Sequence, residues 1–405
     1  MSELAVSYKD ILSAHERVQP WIHRTPVLSS RKIDEIAGAS LFFKAEPLQK
    51  TGSFKARGAT NAVFSLSDKD AARGVATHSS GNFAAALAQA ATWRGIDSHV
   101  VMPTSAPEAK RLATRGYGAH IIPCEPTLQA RESMLARVVE ETGATFLHPY
   151  NNANVIAGQG TAGVELMEDV PDLDAVLVPV GGGGLCSGVA IAVHGGHEGS
   201  VNRAPDIHVW DDPQSDNPQS APDIHVWDDP QSDNPQSAPD IHVWDDQTVD
   251  QPRLQANTGL TSIDSSSDNP RLQANTGLSD ETNPDLFPIK VYGVEPSLAD
   301  DAKRSLIAGS IQPSNNPDTI ADGLKTQLGT LTFPILQHHL EDILLVSEDE
   351  IHAAMELIWS RLKLVVEPSG AVVLAALLKH RDLFAGQRVG LVVSGGNANI
   401  SNFIP

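Results

Sequence analysis

Two cysteines, Cys124 and Cys186, in 405 residues are too few for a disulfide framework, so a reducing compartment is the expected setting. Cys186 is expected only to pack as a small residue. No run of about eighteen apolar residues occurs, which excludes a membrane-spanning helix. The first residues, Met1 to Asp10, mix charges and contain no apolar stretch before a cleavage site. No signal peptide is therefore expected, and the cytoplasm is the plain location. Positive charge is also scarce: 29 Lys and Arg face 50 Asp and Glu, a net charge of -21 that argues against a nucleic-acid partner. Most of the imbalance is local. Between His194 and Pro288 there are eighteen acids and three arginines, and the remainder is near -6. With 41% apolar content, the chain is long enough for two cores.

What is present is an alternation of short apolar runs and helical patterns. Tyr8 to Val18 predicts a helix, Leu41 to Lys44 a strand, and Gly74 to His78 a strand entering Ser79-Ser80-Gly81-Asn82 and an alanine-rich helix, Phe83 to Trp93. Strands at 98–103 and 119–123 alternate with helices at 106–115 and 128–142. Ala175 to Val180 is a further strand. After Lys290 come strands at 291–294, 343–346 and 389–393, with helices at 299–308, 348–362 and 371–380. The alternation predicts an α/β fold with mostly parallel, open twisted sheets flanked by helices, ligands sitting at the strand C-termini. Five segments follow: 1–66, the first part of a larger domain; 67–150, a small domain; 151–194 and 289–405, the rest of the larger domain; and 195–288, an insertion.

The insertion is repetitive. A 17-residue unit starting at Ala204 recurs at Ala221 and, truncated, at Ala238, and Pro-Arg-Leu-Gln-Ala-Asn-Thr-Gly-Leu occurs at Pro252 and Pro270. A solenoid would need apolar stacking faces, and each unit offers only Ile-His-Val-Trp among Pro, Asp, Ser and Gln. Disorder is the expectation. The units resemble copies of the head of the strand near Ile289, so tandem duplication or a faulty gene model would account for them.

Two stretches carry chemistry. Lys55 follows Ser53-Phe54 and opens a helix-forming run, where positive backbone ends are expected to depress its pKa and favour a free amine. Far along the chain, an apolar strand enters Gly181-Gly182-Gly183-Gly184 and leaves into Leu185 and a helix. Such a turn offers backbone N–H groups to a phosphate. It matches neither nucleotide-binding glycine pattern, so a nucleotide is not the first reading.

Lys55 in its Ser-Phe-Lys setting, Ser79-Ser80-Gly81-Asn82, the tetraglycine loop and Ser394-Gly395-Gly396-Asn397 together resemble the fold-type II pyridoxal-phosphate enzymes of the tryptophan-synthase-β type. Within that group the chain is similar to the serine racemase and serine/threonine dehydratase family, from about Val18 onward apart from the insertion. The resemblance implies pyridoxal 5'-phosphate on Lys55, its phosphate held by Gly181, Gly182, Gly183, Gly184 and Leu185, its 3-hydroxyl by Asn82 and its ring nitrogen by Ser394. Substrate would be held by Ser79, Ser80, Gly81, Asn82 and Phe83, with Arg131 and Thr326 nearby. Ser80 would serve the face opposite Lys55, which keeps racemisation open beside elimination. Phe83 replaces the usual histidine, and Arg131 reads equally as a solvated charge. Glu295, Asp301 and the Ala299 carbonyl match a divalent-cation site for Mg, Ca or Mn, against a dipole-stabilised acid cluster as the alternative. Ser30, Lys50, Thr51, Tyr117, Lys363 and Asn397 fall on positions for an ATP effector, while Ala85 and Tyr150 depart from that pattern. The implied activities are serine racemase, serine/threonine ammonia-lyase or 3-hydroxyaspartate dehydratase, in a homodimer. A catalytically inactive relative acting as a binding protein is the rival from another class.

Overall fold

The computed structural model describes residues 4–79, 81–106, 108–201, 289–315 and 317–398. These all belong to the unit formed by 1–205 and 283–405. The second unit, 206–282, lies outside the described residues, as do the repeats and Ser80; of the expected insertion only 195–201 is described, and there the expectation of disorder is corrected, since these residues continue the helix Gly184–Val201.

The strands, in chain order, are β1 (Val27–Leu28), β2 (Ser40–Ala45), β3 (Val75–His78), β4 (Ser98–Pro103), β5 (His120–Cys124), β6 (Thr145–Phe146), β7 (Ala175–Pro179), β8 (Lys290–Pro296), β9 (Asp342–Val346) and β10 (Arg388–Val393). They form two sheets. One has six strands in the order β1-β2-β10-β7-β8-β9, parallel except where β1 meets β2; the other has four, β5-β4-β3-β6, all parallel. Parallel sheets need cover on both faces, which explains why β7 reads as unbroken apolar residues and is buried throughout.

The helices supply that cover. They are α1 (Tyr8–Val18), α2 (Arg31–Ala37), α3 (Lys55–Phe64), α4 (Asp68–Ala71), α5 (Asn82–Arg94), α6 (Glu108–Gly116), α7 (Leu128–Thr142), α8 (Ala153–Asp169), α9 (Gly184–Val201), α10 (Asp301–Ala308), α11 (Thr332–His339), α12 (Glu348–Leu357) and α13 (Pro368–Lys379). Residues of α2, α12 and α13 build one core with the six-stranded sheet, and residues of α8, α9, α10 and α11 build another. In the smaller sheet, α3 and α5 share a core with Val75, while α7 packs with Ala76 and Val101.

Beneath the site lies a buried ionic cluster. Arg57 on α3 is fully buried and donates to Glu46 from Nε at 2.8 Å and to Glu165 from Nη1 at 2.7 Å, while the buried Lys44 amine lies 2.7 Å from Glu165. One expected helix is shorter than its pattern: 348–362 is α-helical only to Leu357, then passes into a π turn over Ile358–Leu362 and ends on Lys363 at φ 57.

Candidate active site

Lys55 is the first residue of α3, as its sequence setting predicts. The segment before it is clamped to the loop after β10. Phe54 N donates to Ser394 O at 3.0 Å, Gly396 N donates to Gly52 O at 2.9 Å, and Ser53 bridges Gly395. Ser394 is buried, so the lysine and the Ser-Gly-Gly-Asn motif arrive together. The Lys55 amine donates to Pro149 O at 3.0 Å and stands 4.8 Å from the Phe54 ring centroid and 5.8 Å from that of Phe83. Burial of the amine draws its pKa down to about 8. The expectation of a depressed pKa holds, but its cause needs correction. Desolvation, rather than the helix end, is the dominant effect, and the nearby Glu367 carboxylate works against it.

Pro149 and Tyr150 connect the lysine to the glycine loop. A Cβ added at Gly182 would lie 2.3 Å from the Tyr150 ring, and one at Gly183, where φ is +86, would lie 2.8 Å from Thr332. Only glycine lets the backbone approach this closely. Thr332 Oγ1 donates to Gly182 O at 2.8 Å and fixes the loop from below. Leu185 is buried, and the first N–H groups of α9 have no partner within the helix. A glycine turn entering a helix start in this way is suited to cradling an anion. Thr326, exposed, holds its hydroxyl 3.1 Å from the place a Gly181 Cβ would take.

On the opposite side, β3 ends at His78 and Gly81 is the N-cap of α5. Gly81 N donates weakly to Ser79 Oγ at 3.4 Å, and nothing stands where a Gly81 Cβ would point. Asn82 opens α5, and Phe83 is buried in the core shared by α3 and α5. Arg131 is half-buried on α7 and acts electrostatically on His78 and Cys124. It hydrogen-bonds to its own helix, Nε donating to Thr127 O at 3.4 Å.

Glu367 escaped the sequence reading. It is buried at the N-cap of α13 and accepts from Asn82 Nδ2 at 3.0 and 3.2 Å on its two oxygens. Before Pro368, an acid reads only as a helix start, so no signal in the sequence marks it. His148 was missed as well. Its Nδ1 accepts from the amides of Tyr150 at 3.3 Å and Asn151 at 3.0 Å, and burial pulls its pKa to about 4.

The expected cation residues share one location. Glu295 and Asp301 are fully buried; Glu295 accepts from Ala302 N at 3.1 Å and Lys303 N at 2.9 Å, and Ala299 is buried nearby. Both oxygens of Asp301 are buried with no hydrogen bond in strict geometry, though the Asp301 and Leu328 backbone N–H groups favour its anion, and burial raises its pKa to about 6. Unmatched buried carboxylate oxygens fit a hard cation. No group of three or more His, Cys, Asp or Glu side chains suits a metal among the described residues; the expected set contains only two. Of the effector positions, Thr51 and Asn397 meet, Asn397 Nδ2 donating to Thr51 O at 2.7 Å and to Asn82 Oδ1 at 3.0 Å. Lys50 bonds locally through its amide to Gln49 Oε1, and the Lys363 amine donates to Ser360 O. Ser30 stands at the N-cap of α2, and Tyr117 packs against the α5 core.

A family profile described as "Pyridoxal-phosphate dependent enzyme" matches residues 18–222 and 276–395. A serine racemase of Dictyostelium discoideum is 39% identical over 98% of this chain and 96% of its own length. A beta-hydroxyaspartate dehydratase of Paracoccus denitrificans is 40% identical, with 97% of each chain covered. The crystal structure of a T.th. threonine deaminase superposes with a TM-score of 0.72 at 35% identity, covering 98% of this chain and all of that one. No described helix is long and apolar enough to cross a membrane. An amine with a lowered pKa, a glycine turn suited to an anion and a polar turn at a helix start fit the cofactor named by the profile, and the chain belongs to the pyridoxal-phosphate dependent enzymes.

Proposed function

We propose that the protein is a pyridoxal-phosphate dependent ammonia-lyase and racemase acting on L-serine or a close β-hydroxy amino acid. One observation carries the reading: the Lys55 amine, drawn down to about 8, is bonded to Pro149 O next to Tyr150, whose ring lies against the glycine loop. When bound, the cofactor withdraws electrons from the substrate Cα and acidifies its proton. Lys55 tethers the cofactor and then, as free amine, takes that proton. Backbone N–H groups of Gly181 to Leu185 hold the phosphate, Asn82 and Ser394 hold the ring, and the turn Ser79 to Phe83 holds the substrate carboxylate. Ser80 serves the opposite face and returns a proton there. Loss of the β-hydroxyl gives elimination; return of the proton gives inversion. Glu295 and Asp301, with the Ala299 carbonyl, would hold a divalent cation, a structural charge that relieves two buried carboxylates. Ser30, Lys50, Thr51, Tyr117, Lys363 and Asn397 would form an ATP effector site, with Thr51 and Asn397 its supported part, in a homodimer.

A second reading rests on Arg131. Half-buried beside His78, its guanidinium suits a substrate bearing a second carboxylate, as in 3-hydroxyaspartate. A panel of L-serine, L-threonine and 3-hydroxyaspartate, assayed for keto acid, ammonia and D-amino acid, tests both. The first reading expects serine to be turned over, and loss of Arg131 to affect only the dicarboxylate. A cofactor-loaded protein inert on every member would overturn both.

A further inference from the structure

We propose that Glu367 is a positioning residue of this site, fixing the Asn82 amide and supplying the negative charge that balances the Lys55 amine. The proposal rests on the reading of Lys55 as tether and base. Its geometry is built rather than incidental. Glu367 N donates to Gly395 O at 3.0 Å, and a Cβ on Gly395 would stand 2.7 Å from Glu367 Oε1. The loop after β10 thus leaves room for this carboxylate and no more. An ionised carboxylate only accepts, so Asn82 must turn Nδ2 toward it, and Asn82 Oδ1 is left to accept from Asn397.

The groups facing Glu367 sort by charge. Lys55 lies within electrostatic range on the cofactor side. On the other side Lys110 and Asp322, an ion pair at 2.5 Å, largely cancel, and the Asn397 backbone N–H and the Asn82 amide favour the anion. Burial opposes ionisation and lifts the Glu367 carboxyl to about 7. The Glu367 charge therefore favours the protonated Lys55 amine, against the burial that lowers its pKa.

Glu367→Gln separates charge from shape, since glutamine keeps an acceptor for Asn82. The readout is the pH dependence of reductive methylation of Lys55 in the cofactor-free full-length chain, followed on the Lys55 peptide by mass spectrometry. The expected result is a Lys55 midpoint lower by about one pH unit in the glutamine variant, so that about tenfold more amine is free at neutral pH. The acid limb of kcat/KM should move the same way. Glu367→Asp, its carboxylate one methylene further back, should give an intermediate midpoint, and decides the matter if the glutamine variant does not fold. An unchanged Lys55 midpoint in the folded variant overturns the proposal, whatever the fate of the activity assays. A lost activity with an unmoved midpoint would mark Glu367 as merely structural.

Discussion

At the residue scale, the proposed chemistry centres on Lys55, whose place at a helix start was legible in the sequence beside three other motifs in order. The cause of its altered acidity was not legible. Desolvation comes from Phe54, Phe83 and the Pro149 region meeting around the amine, which only the folded chain brings together. With an amine at about 8, cofactor capture by the free chain should accelerate about tenfold per pH unit up to that value and then level off. Lys55→Ala should lose the visible absorbance of bound cofactor and about a hundredfold to ten-thousandfold of turnover. A borohydride-reducible adduct persisting in that variant would assign the tether to another lysine. Ser80 makes a separate prediction from the resemblance alone. Ser80→Ala should reduce D-serine formation by about a hundredfold or more while leaving keto-acid formation within a few fold. Equal loss of both would make Ser80 a binding residue and remove the two-faced proton transfer.

At the element scale, the glycine loop is the proposed phosphate site, and the buried ions tie α3 to α8. Gly183→Ala forces a side chain into φ +86 and against Thr332, a strain of about 1–2 kcal/mol that the loop relieves by moving. Cofactor affinity should fall about tenfold by absorbance titration, one tenfold step being about 1.4 kcal/mol. Unchanged affinity would mean that the loop does not hold the phosphate. Arg57→Leu leaves Glu46 and Glu165 buried without their shared guanidinium partner, so denaturant unfolding should show a loss of about 3–5 kcal/mol. A loss below about 1 kcal/mol would show water replacing the guanidinium. Arg57 and Lys44 hold Glu165 at about 2, below its ordinary value, although burial opposes them. Its contribution is thus present above about pH 4.5 and lost as pH falls toward 2. Strand and helix alternation was plain in the sequence because the period changes between two and 3.6 residues. The ionic cluster was not, since Arg57 on an alanine-rich helix looks like any solvated arginine until α8 brings Glu165 to it. Glu367 was hidden for the same reason, its partner Asn82 lying 285 residues away in the chain.

At the scale of the whole molecule, the question is how the enzyme tolerates residues 202–288. The family profile stops at 222 and resumes at 276, so the segment between adds to a common plan. Its two anchor points are already joined: His194 on α9 has Nε2 3.0 Å from Ile289 O, immediately before β8. β8 is itself held on both sides, by β7 and β9, and needs nothing from the preceding segment to find its register. A linker need only lead from the end of α9 at Val201 back along about two helical turns, roughly 10 Å at 1.5 Å per residue, which a few residues span. Replacing 202–286 by a glycine-serine linker of about ten residues should therefore leave a folded, cofactor-binding enzyme with kcat within a few fold of the parent. Shortening the loop about eightfold should reduce its closure entropy, adding about 2 kcal/mol to stability. Thermal unfolding and turnover of the shortened chain check both statements. Failure to bind cofactor, or a lower melting temperature, would mean that the acidic repeats contribute contacts to the catalytic unit, and the insertion would have to be counted as part of the fold.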